Sequence, residues 1–165
     1  MDRQECSFTF PELDPKTDAV EIVCNIDDMT GEQLGHVIDA LLAKNALDVS
    51  CIPILMKKGR PAYQLVCLAK PADAHRLALE VIRGTTTNGV RFRPCHRLIM
   101  EVESYVALTS LGSVRVKRAT GHGAVHIKPE ADDIVKIADQ LDLPFHEVQR
   151  TVIKEVFESS SETNI

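Results

Sequence analysis

Three short polar clusters stand at the ends of predicted secondary-structure elements, and they contain the residues best suited to chemistry. The first runs from Asn25 to Glu32 and carries the carboxylates of Asp27, Asp28 and Glu32. Hard oxygens of this kind can hold Mg²⁺ or Mn²⁺, which use one or two carboxylates together with substrate phosphates. Acids beside a helix N-terminus can instead simply complement its dipole, so the residues alone leave both roles open.

The second cluster is basic and consists of Lys57, Lys58 and Arg60, with Gly59 and Pro61 shaping the turn. Three cations on one short turn predict an anion site, because Arg can form two parallel hydrogen bonds with a phosphate and Lys supplies a point charge. A solvated charged loop is the alternative.

The third cluster runs from Gly84 to Arg91 and includes the hydroxyls of Thr85, Thr86 and Thr87. Hydroxyls and an Arg could line phosphate oxygens. The segment is not a P-loop, because it follows a helix and lacks the Gly-Lys-Thr/Ser ending. A Thr-rich connection into a strand explains the pattern about as well.

Hydrophobic periodicity and turn signals predict the secondary-structure elements that position these clusters. A strand from Ala19 leads to a helix opened by a Thr30–Gln33 capping box. The later elements are two strands, a second helix and a long strand region: Asp48–Met56, Ala62–Ala69, Asp73–Arg83 and Gly89–Val106. This β-α-β-β-α-β order predicts an α+β, ferredoxin-like core.

After this core we predict an added β-hairpin through Gly121-His122-Gly123 and two C-terminal helices, Ala131–Leu141 and Pro144–Phe157. Residues 1–18, punctuated by Pro, are expected to be a linker or mobile arm. A single domain is expected over 19–158, with a frayed tail over 159–165.

Composition excludes several classes of function. The chain has 165 residues, a net charge of −5, 4% aromatic residues and no Trp. A nucleic-acid binder needs a basic surplus and often aromatic stacking platforms, so we expect no nucleic-acid partner. We expect no membrane association, because no apolar run approaches the roughly 20 residues of a membrane span. The five cysteines lack the paired spacing of a disulfide framework, and the sequence shows no secretory signal. Both observations predict a cytoplasmic protein.

Six ordered motifs closely resemble the C-terminal domain of the LarC family, the nickel insertion proteins of nickel-pincer nucleotide cofactor biosynthesis. The resemblance covers about residues 19–140. Its motifs are Asn25–Glu32, Ala46–Val49, Pro53–Pro61, Thr85–Arg91, Gly112–Lys117 and Lys128–Glu130.

The resemblance implies a domain that binds CTP with Mn²⁺ or Mg²⁺, in proteins that insert nickel into a pyridinium bisthiocarboxylate mononucleotide. Nickel is then a substrate metal of the full protein. Applied to this sequence, it makes the basic turn, the threonines and Arg91 candidate nucleotide contacts, and the three acids candidate metal ligands. The nucleotide set is Lys57, Lys58, Arg60, Thr85, Thr86, Thr87 and Arg91, and the metal set is Asp27, Asp28 and Glu32.

The N-terminal half of that family has no counterpart in this sequence, so we expect that half as a partner and incomplete activity without it. An alternative is a non-catalytic nucleotide-sensing or assembly domain. Ferredoxin-like units with added hairpins readily form trimers by edge-strand pairing, which predicts a homotrimer or hexamer.

Overall fold

A computed structural model of the chain describes residue 10 and residues 12–162. Seven strands and four helices follow one another in this part of the chain. The strands are β1 Ala19–Ile26, β2 Asp48–Met56, β3 Arg60–Ala69, β4 Arg91–Cys95, β5 Glu101–Thr109, β6 Gly112–Gly121 and β7 Ala124–Pro129. The helices are α1 Gly31–Ala43, α2 Ala74–Gly84, α3 Ala131–Leu141 and α4 Phe145–Glu162.

The chain divides into two compact units, the first ending at Leu98 and the second beginning at Ile99. Each has a separate cluster of buried hydrophobic residues. We predicted one domain over 19–158 from the sequence; that boundary stays a prediction, and the two units are described separately.

The first unit contains a four-stranded antiparallel sheet in the order β2-β3-β1-β4. The chain passes through α1 between β1 and β2 and through α2 between β3 and β4. This is the strand order of the ferredoxin-like fold, and the predicted fold class is confirmed. The register places Ile26 opposite Tyr63 and Val23 opposite Arg91, so the end of β1 meets the starts of β3 and β4.

The core of the first unit forms because alternate residues of a strand share one face. Val20, Ile22 and Cys24 of β1 belong to the same buried cluster as Leu41 of α1 and Leu77 of α2. Apolar side chains of both helices therefore cover one face of the sheet. This packing sets the position of each helix relative to the loops at the sheet edge.

The second unit is an antiparallel sheet in the order β5-β6-β7, with α3 and α4 in the same core. Val114 and Val116 of β6 cluster there with Val148, Val152 and Val156 of α4, which recur every four residues along one helix face. The predicted hairpin is β6–β7, and β5 extends it to three strands.

The long strand region predicted over Gly89–Val106 is wrong as one element. β4 ends at Cys95, which pairs with Ala19, the first residue of β1. Beyond that point no partner strand continues, and β5 begins at Glu101 in the other sheet. The buried carboxylate of Asp18 instead accepts a hydrogen bond from the backbone N–H of Arg97 at 3.2 Å.

Contacts at the start of the described chain include those of Leu13 and Asp18. Leu13 is buried in the first core and Asp18 bonds to His96 and Arg97, while the linker or arm over residues 1–18 stays a prediction. The other residues of the predicted arm, 1–9 and 11, lie outside the described residues. Helix α4 ends at Glu162 and residues 163–165 lie outside the described residues, and the frayed tail over 159–165 stays a prediction. No helix in the described part of the chain combines the length and hydropathy that a membrane crossing needs.

The capping box at the start of α1 gives the first testable prediction. The Thr30 hydroxyl accepts from the Gln33 backbone N–H at 3.3 Å, and the Gln33 side chain accepts from the Thr30 backbone N–H at 2.9 Å. Thr30→Ala should lower the free energy of unfolding by about 1 kcal/mol, measured by urea denaturation. Thr30→Ser, which keeps the hydroxyl, is the matched control; equal stability of the Ala and Ser variants would contradict the role of the cap.

Candidate functional site

The fold brings all three polar clusters to one edge of the first sheet. The segment leaving β1, the β2–β3 turn and the α2–β4 loop lie together there, because β1 runs antiparallel to both β3 and β4. Side-chain contacts between the clusters confirm the placement, since Arg60 reaches Asp27 and Thr86 reaches Asp28. The candidate site is therefore an exposed edge formed by three loops that are distant in sequence.

The first contact is an ion pair between Arg60 Nη1 and Asp27 Oδ2 at 2.9 Å. The hydrogen bond from the Arg60 guanidinium lowers the pKa of the Asp27 carboxyl below its ordinary value of 3.8, and the charge of Lys57 adds to this effect. The side chains are 58% and 29% exposed, so solvent screens the pair and it holds the turn only weakly.

The pH dependence of this pair follows from the direction of the shift. A carboxyl whose pKa is depressed by folding contributes stability above pH 3.8 and loses it as the pH falls through the lower folded pKa. Arg60→Gln should raise the pKa of Asp27 toward 3.8, observed by NMR titration of the Asp27 carboxyl carbon. Lys154→Gln, which removes a cation on α4, is the control; an Asp27 pKa unchanged by Arg60→Gln would contradict the ion pair.

The threonine loop makes one contact to the acidic segment and several within itself. The Thr86 hydroxyl donates to Asp28 Oδ1. The Thr85 hydroxyl donates to the Val81 carbonyl at 2.7 Å, and the Thr87 hydroxyl donates to the Gly89 carbonyl at 2.9 Å. Thr85 and Thr87 therefore shape the loop, whereas Thr86 directs its hydroxyl to the shared edge. Nucleotide contact by any of the three stays a prediction.

Behind this loop, Thr87 and Arg91 also lie near the buried thiol of Cys24. Burial raises the pKa of that thiol, and the Thr87 hydrogen bond and the Arg91 charge oppose the rise. The thiol is neutral at physiological pH and fills space beneath the loop, as a buried Cys usually does.

Arg91 is held by Asn25, which also accepts from Gln64, a residue that sequence reasoning overlooked. Asn25 Oδ1 accepts hydrogen bonds from Arg91 Nη2 at 3.1 Å and from Gln64 Nε2 at 3.0 Å. Gln64 could have been identified from its place in strand β3, because the strand register sets it opposite Asn25. This network fixes the predicted cation Arg91 across β3, β1 and β4.

The basic turn carries backbone strain. Lys58 has φ 63° and Gly59 has φ 67°, so two successive residues adopt the left-handed region. Glycine tolerates this region, whereas a Lys there is disfavoured. Among the described residues neither Lys57 nor Lys58 has an ion-pair partner. Positive φ at two successive residues is the geometry of a tight β-hairpin turn, so the β2–β3 hairpin accounts for the conformation of Lys58.

The three predicted metal ligands are not gathered into one cluster. Among the residues that the structure describes, no three His, Cys, Asp or Glu side chains are placed to share an ion. Glu32 lies in the first turn of α1, where it complements the helix dipole. Asp27 and Asp28 are adjacent and offer hard oxygens, which fits a cation held by one or two carboxylates and completed by phosphates.

A cleft of about 230 Å³ lies elsewhere in the first unit, between α1 and α2. Its floor includes Val37 and Leu41, and its rim carries Lys44, Glu80 and Arg83. No residue of the predicted nucleotide or metal sets lines this cleft.

Comparisons with known proteins agree on one family. The family model described as "Nickel insertion protein" matches residues 11–149. A "Putative nickel insertion protein" of Geobacter sulfurreducens is 40% identical over 140 residues, which is 85% of this chain and 36% of that protein. A "Pyridinium-3,5-bisthiocarboxylic acid mononucleotide nickel insertion protein" of Lactiplantibacillus plantarum is 39% identical over 137 residues, 82% of this chain and 33% of that protein.

A solved structure has the same fold. It is titled as LarC2, the C-terminal domain of a cyclometallase involved in synthesis of the NPN cofactor of lactate racemase, in its apo form. Its TM-score is 0.79 at 37% identity, covering 84% of this chain and 96% of that one. A protein of Methanopyrus kandleri matches with a TM-score of 0.56 at 26% identity, covering 80% and 82%.

The fold and the site edge thus define a ferredoxin-like domain of the C-terminal LarC type. The chain belongs to the nickel insertion protein family. It spans about a third of the length of the curated relatives that it matches.

Proposed function

We propose that this chain is the CTP- and divalent-metal-binding C-terminal part of a nickel insertion protein that forms the nickel-pincer nucleotide cofactor. The observation that carries the proposal is the meeting of a basic turn, a threonine loop and two adjacent carboxylates at one sheet edge. The printed names of the relatives supply the pathway: nickel insertion into the bisthiocarboxylic acid mononucleotide and synthesis of the NPN cofactor.

In this proposal the cations hold the triphosphate. Arg60 and Arg91 supply guanidinium groups that can pair with phosphate oxygens, and Lys57 and Lys58 supply unpaired charge. Asn25 keeps Arg91 in position, since its carboxamide oxygen accepts from the guanidinium. Mn²⁺ or Mg²⁺, when bound, neutralises phosphate charge, and Asp27 and Asp28 are the residues that would hold it.

The remaining steps of the reaction are proposed to require the longer proteins of this family. Because this chain covers about a third of its relatives, nickel insertion itself, a CTP-dependent cyclometallase reaction of the lyase class, is proposed to need their N-terminal half. Nickel is the substrate metal of that complete reaction, and the proposed place of action is the cytoplasm.

Calorimetric titration of the folded chain with CTP in the presence of Mn²⁺ tests this proposal. We expect saturable heat with one site per chain. No heat from CTP, while circular dichroism shows the chain folded, would overturn it. ATP is the matched ligand, because it carries the same triphosphate on a different base.

A second candidate function is non-catalytic nucleotide sensing within an assembly. The favouring observation is β5, an edge strand whose Val102, Val106 and Leu108 are exposed on the face away from the helices. Edge strands with apolar side chains favour pairing with another chain. Light scattering that shows a trimer or hexamer, together with equal affinity for ATP and CTP, would favour this function over the first.

A further inference from the structure

The loop between α2 and β4 contains an Asn–Gly dipeptide, Asn88-Gly89, to which the proposed function gives no role. Both residues are exposed and belong to no helix or strand. Within the part of the chain that the structure describes, the carboxamide of Asn88 has no hydrogen-bond partner. The side chain of Asn88 and the backbone that follows it are therefore accessible to water and to each other.

We propose that Asn88 is a site of spontaneous deamidation, in which the backbone nitrogen of Gly89 is the nucleophile and water is the second reactant. The Gly89 nitrogen loses its proton to solvent and attacks the side-chain carbonyl carbon of Asn88. A nitrogen–carbon bond forms, and the side-chain nitrogen takes up a proton and leaves as ammonia. Water then opens the five-membered imide at either carbonyl, which gives aspartate or isoaspartate at position 88.

The surroundings of Gly89 favour this attack. Its N–H lies 3.5 Å from the Thr87 hydroxyl oxygen, which is longer than an ordinary N–H···O hydrogen bond. Even a Cβ added at Gly89 would meet no atom within 4 Å beyond its chain neighbours, so the space around the nitrogen is open. Glycine also leaves the backbone the torsional freedom needed to bring this nitrogen to the Asn88 side chain.

The other asparagines of the described chain lack this arrangement. Asn45 is exposed in the turn after α1, but the next N–H, that of Ala46, donates to the Leu41 carbonyl at 3.1 Å. Asn25 lies within strand β1, and its side-chain oxygen accepts two hydrogen bonds. Asn45 is the internal control, because it is an exposed asparagine whose following nitrogen is engaged.

Deamidation changes the charge of the loop that carries Thr86 and leads to Arg91. It replaces a neutral side chain by a carboxylate, and isoaspartate also adds a methylene group to the backbone. The effect on binding rests on the proposed function, because a negative charge in this loop repels a triphosphate at the same edge. Asn88→Asp, which carries the new charge from the start, should weaken CTP binding with Mn²⁺ by about threefold at low salt.

The test of the modification site is mass spectrometry of the folded chain during incubation at mildly alkaline pH. Trypsin isolates Asn88 in residues 84–91 and Asn45 in residues 45–57, so one sample gives both rates. We expect Asn88 to deamidate at least about tenfold faster than Asn45, a ratio that needs a barrier lower by about 1.4 kcal/mol. Aspartate and isoaspartate should both form, because direct hydrolysis of the carboxamide gives aspartate alone.

Gly89→Ala is the matched variant. The open space around Gly89 admits a methyl group, and φ there lies outside the left-handed region. The methyl group hinders the approach of the nitrogen, so Asn88 in this variant should deamidate about tenfold more slowly. Equal rates at Asn88 and Asn45, an unchanged rate in Gly89→Ala, or formation of aspartate alone would each overturn the inference.

Calorimetry with CTP and Mn²⁺ separates this inference from the proposed function. Asn45→Asp adds the same charge after α1 and should leave CTP binding unchanged. If Asn88→Asp binds CTP as tightly as the natural chain does, the effect on binding is wrong. If the natural chain binds no CTP, the proposed function is wrong, while the deamidation rates still decide the modification site.

Discussion

Replacing Lys58 and Arg60 together by Ala should weaken CTP binding in the presence of Mn²⁺ by about 150-fold or more at low salt, because each of the two charge-assisted contacts contributes at least about 1.5 kcal/mol and 1.4 kcal/mol is tenfold. At 0.5 M salt the loss should be smaller, since exposed charges separated by several ångströms are screened. Calorimetry at the two salt concentrations measures the effect.

The double variant Arg150→Ala/Lys154→Ala is the matched control. It removes two charges of the same sign from the exposed face of α4, which belongs to the second unit. This control should bind CTP as the natural chain does. If both double variants lose affinity equally, the effect comes from net charge and the basic turn is not the phosphate site.

The second large effect is on stability and concerns Leu65, at the centre of β3. Leu65 is fully buried in the first core, between Cys24 of β1 and Cys51 of β2 in the same cross-strand row. Leu65→Ala should lower the free energy of unfolding of the first unit by roughly 2–5 kcal/mol, because it removes buried methyl groups and leaves a cavity.

Leu55→Ala supplies a control of identical chemistry. Leu55 lies on neighbouring β2 and is 74% exposed, so its truncation should change stability by less than about 0.5 kcal/mol. Urea denaturation followed by circular dichroism compares the two variants. Similar losses from both would contradict the position of the core between the sheet and its two helices.

Much of the first unit could be predicted because its signals are local. The Thr30 capping box, the alternation of β1 and the strand order after it depend on residues close in sequence, and each is present in the structure. The ferredoxin-like order then requires the loops after β1, between β2 and β3 and before β4 to share one edge. The meeting of the three polar clusters is a consequence of that topology.

The parts that the sequence did not reveal depend on contacts between distant residues. β4 stops at Cys95 because β1 begins at Ala19, and no local pattern reports that limit. Gln64 became a site residue only through the register that sets it opposite Asn25. Thr85 and Thr87 look equivalent to Thr86 in sequence, but the loop conformation turns their hydroxyls to backbone carbonyls.

A structure of this chain with CTP and Mn²⁺ tests the central claim most directly. We expect the triphosphate at the sheet edge, within hydrogen-bond distance of Arg60 and the Lys57–Gly59 turn. Nucleotide bound in the cleft between α1 and α2, with the Arg60–Asp27 pair intact, would contradict it.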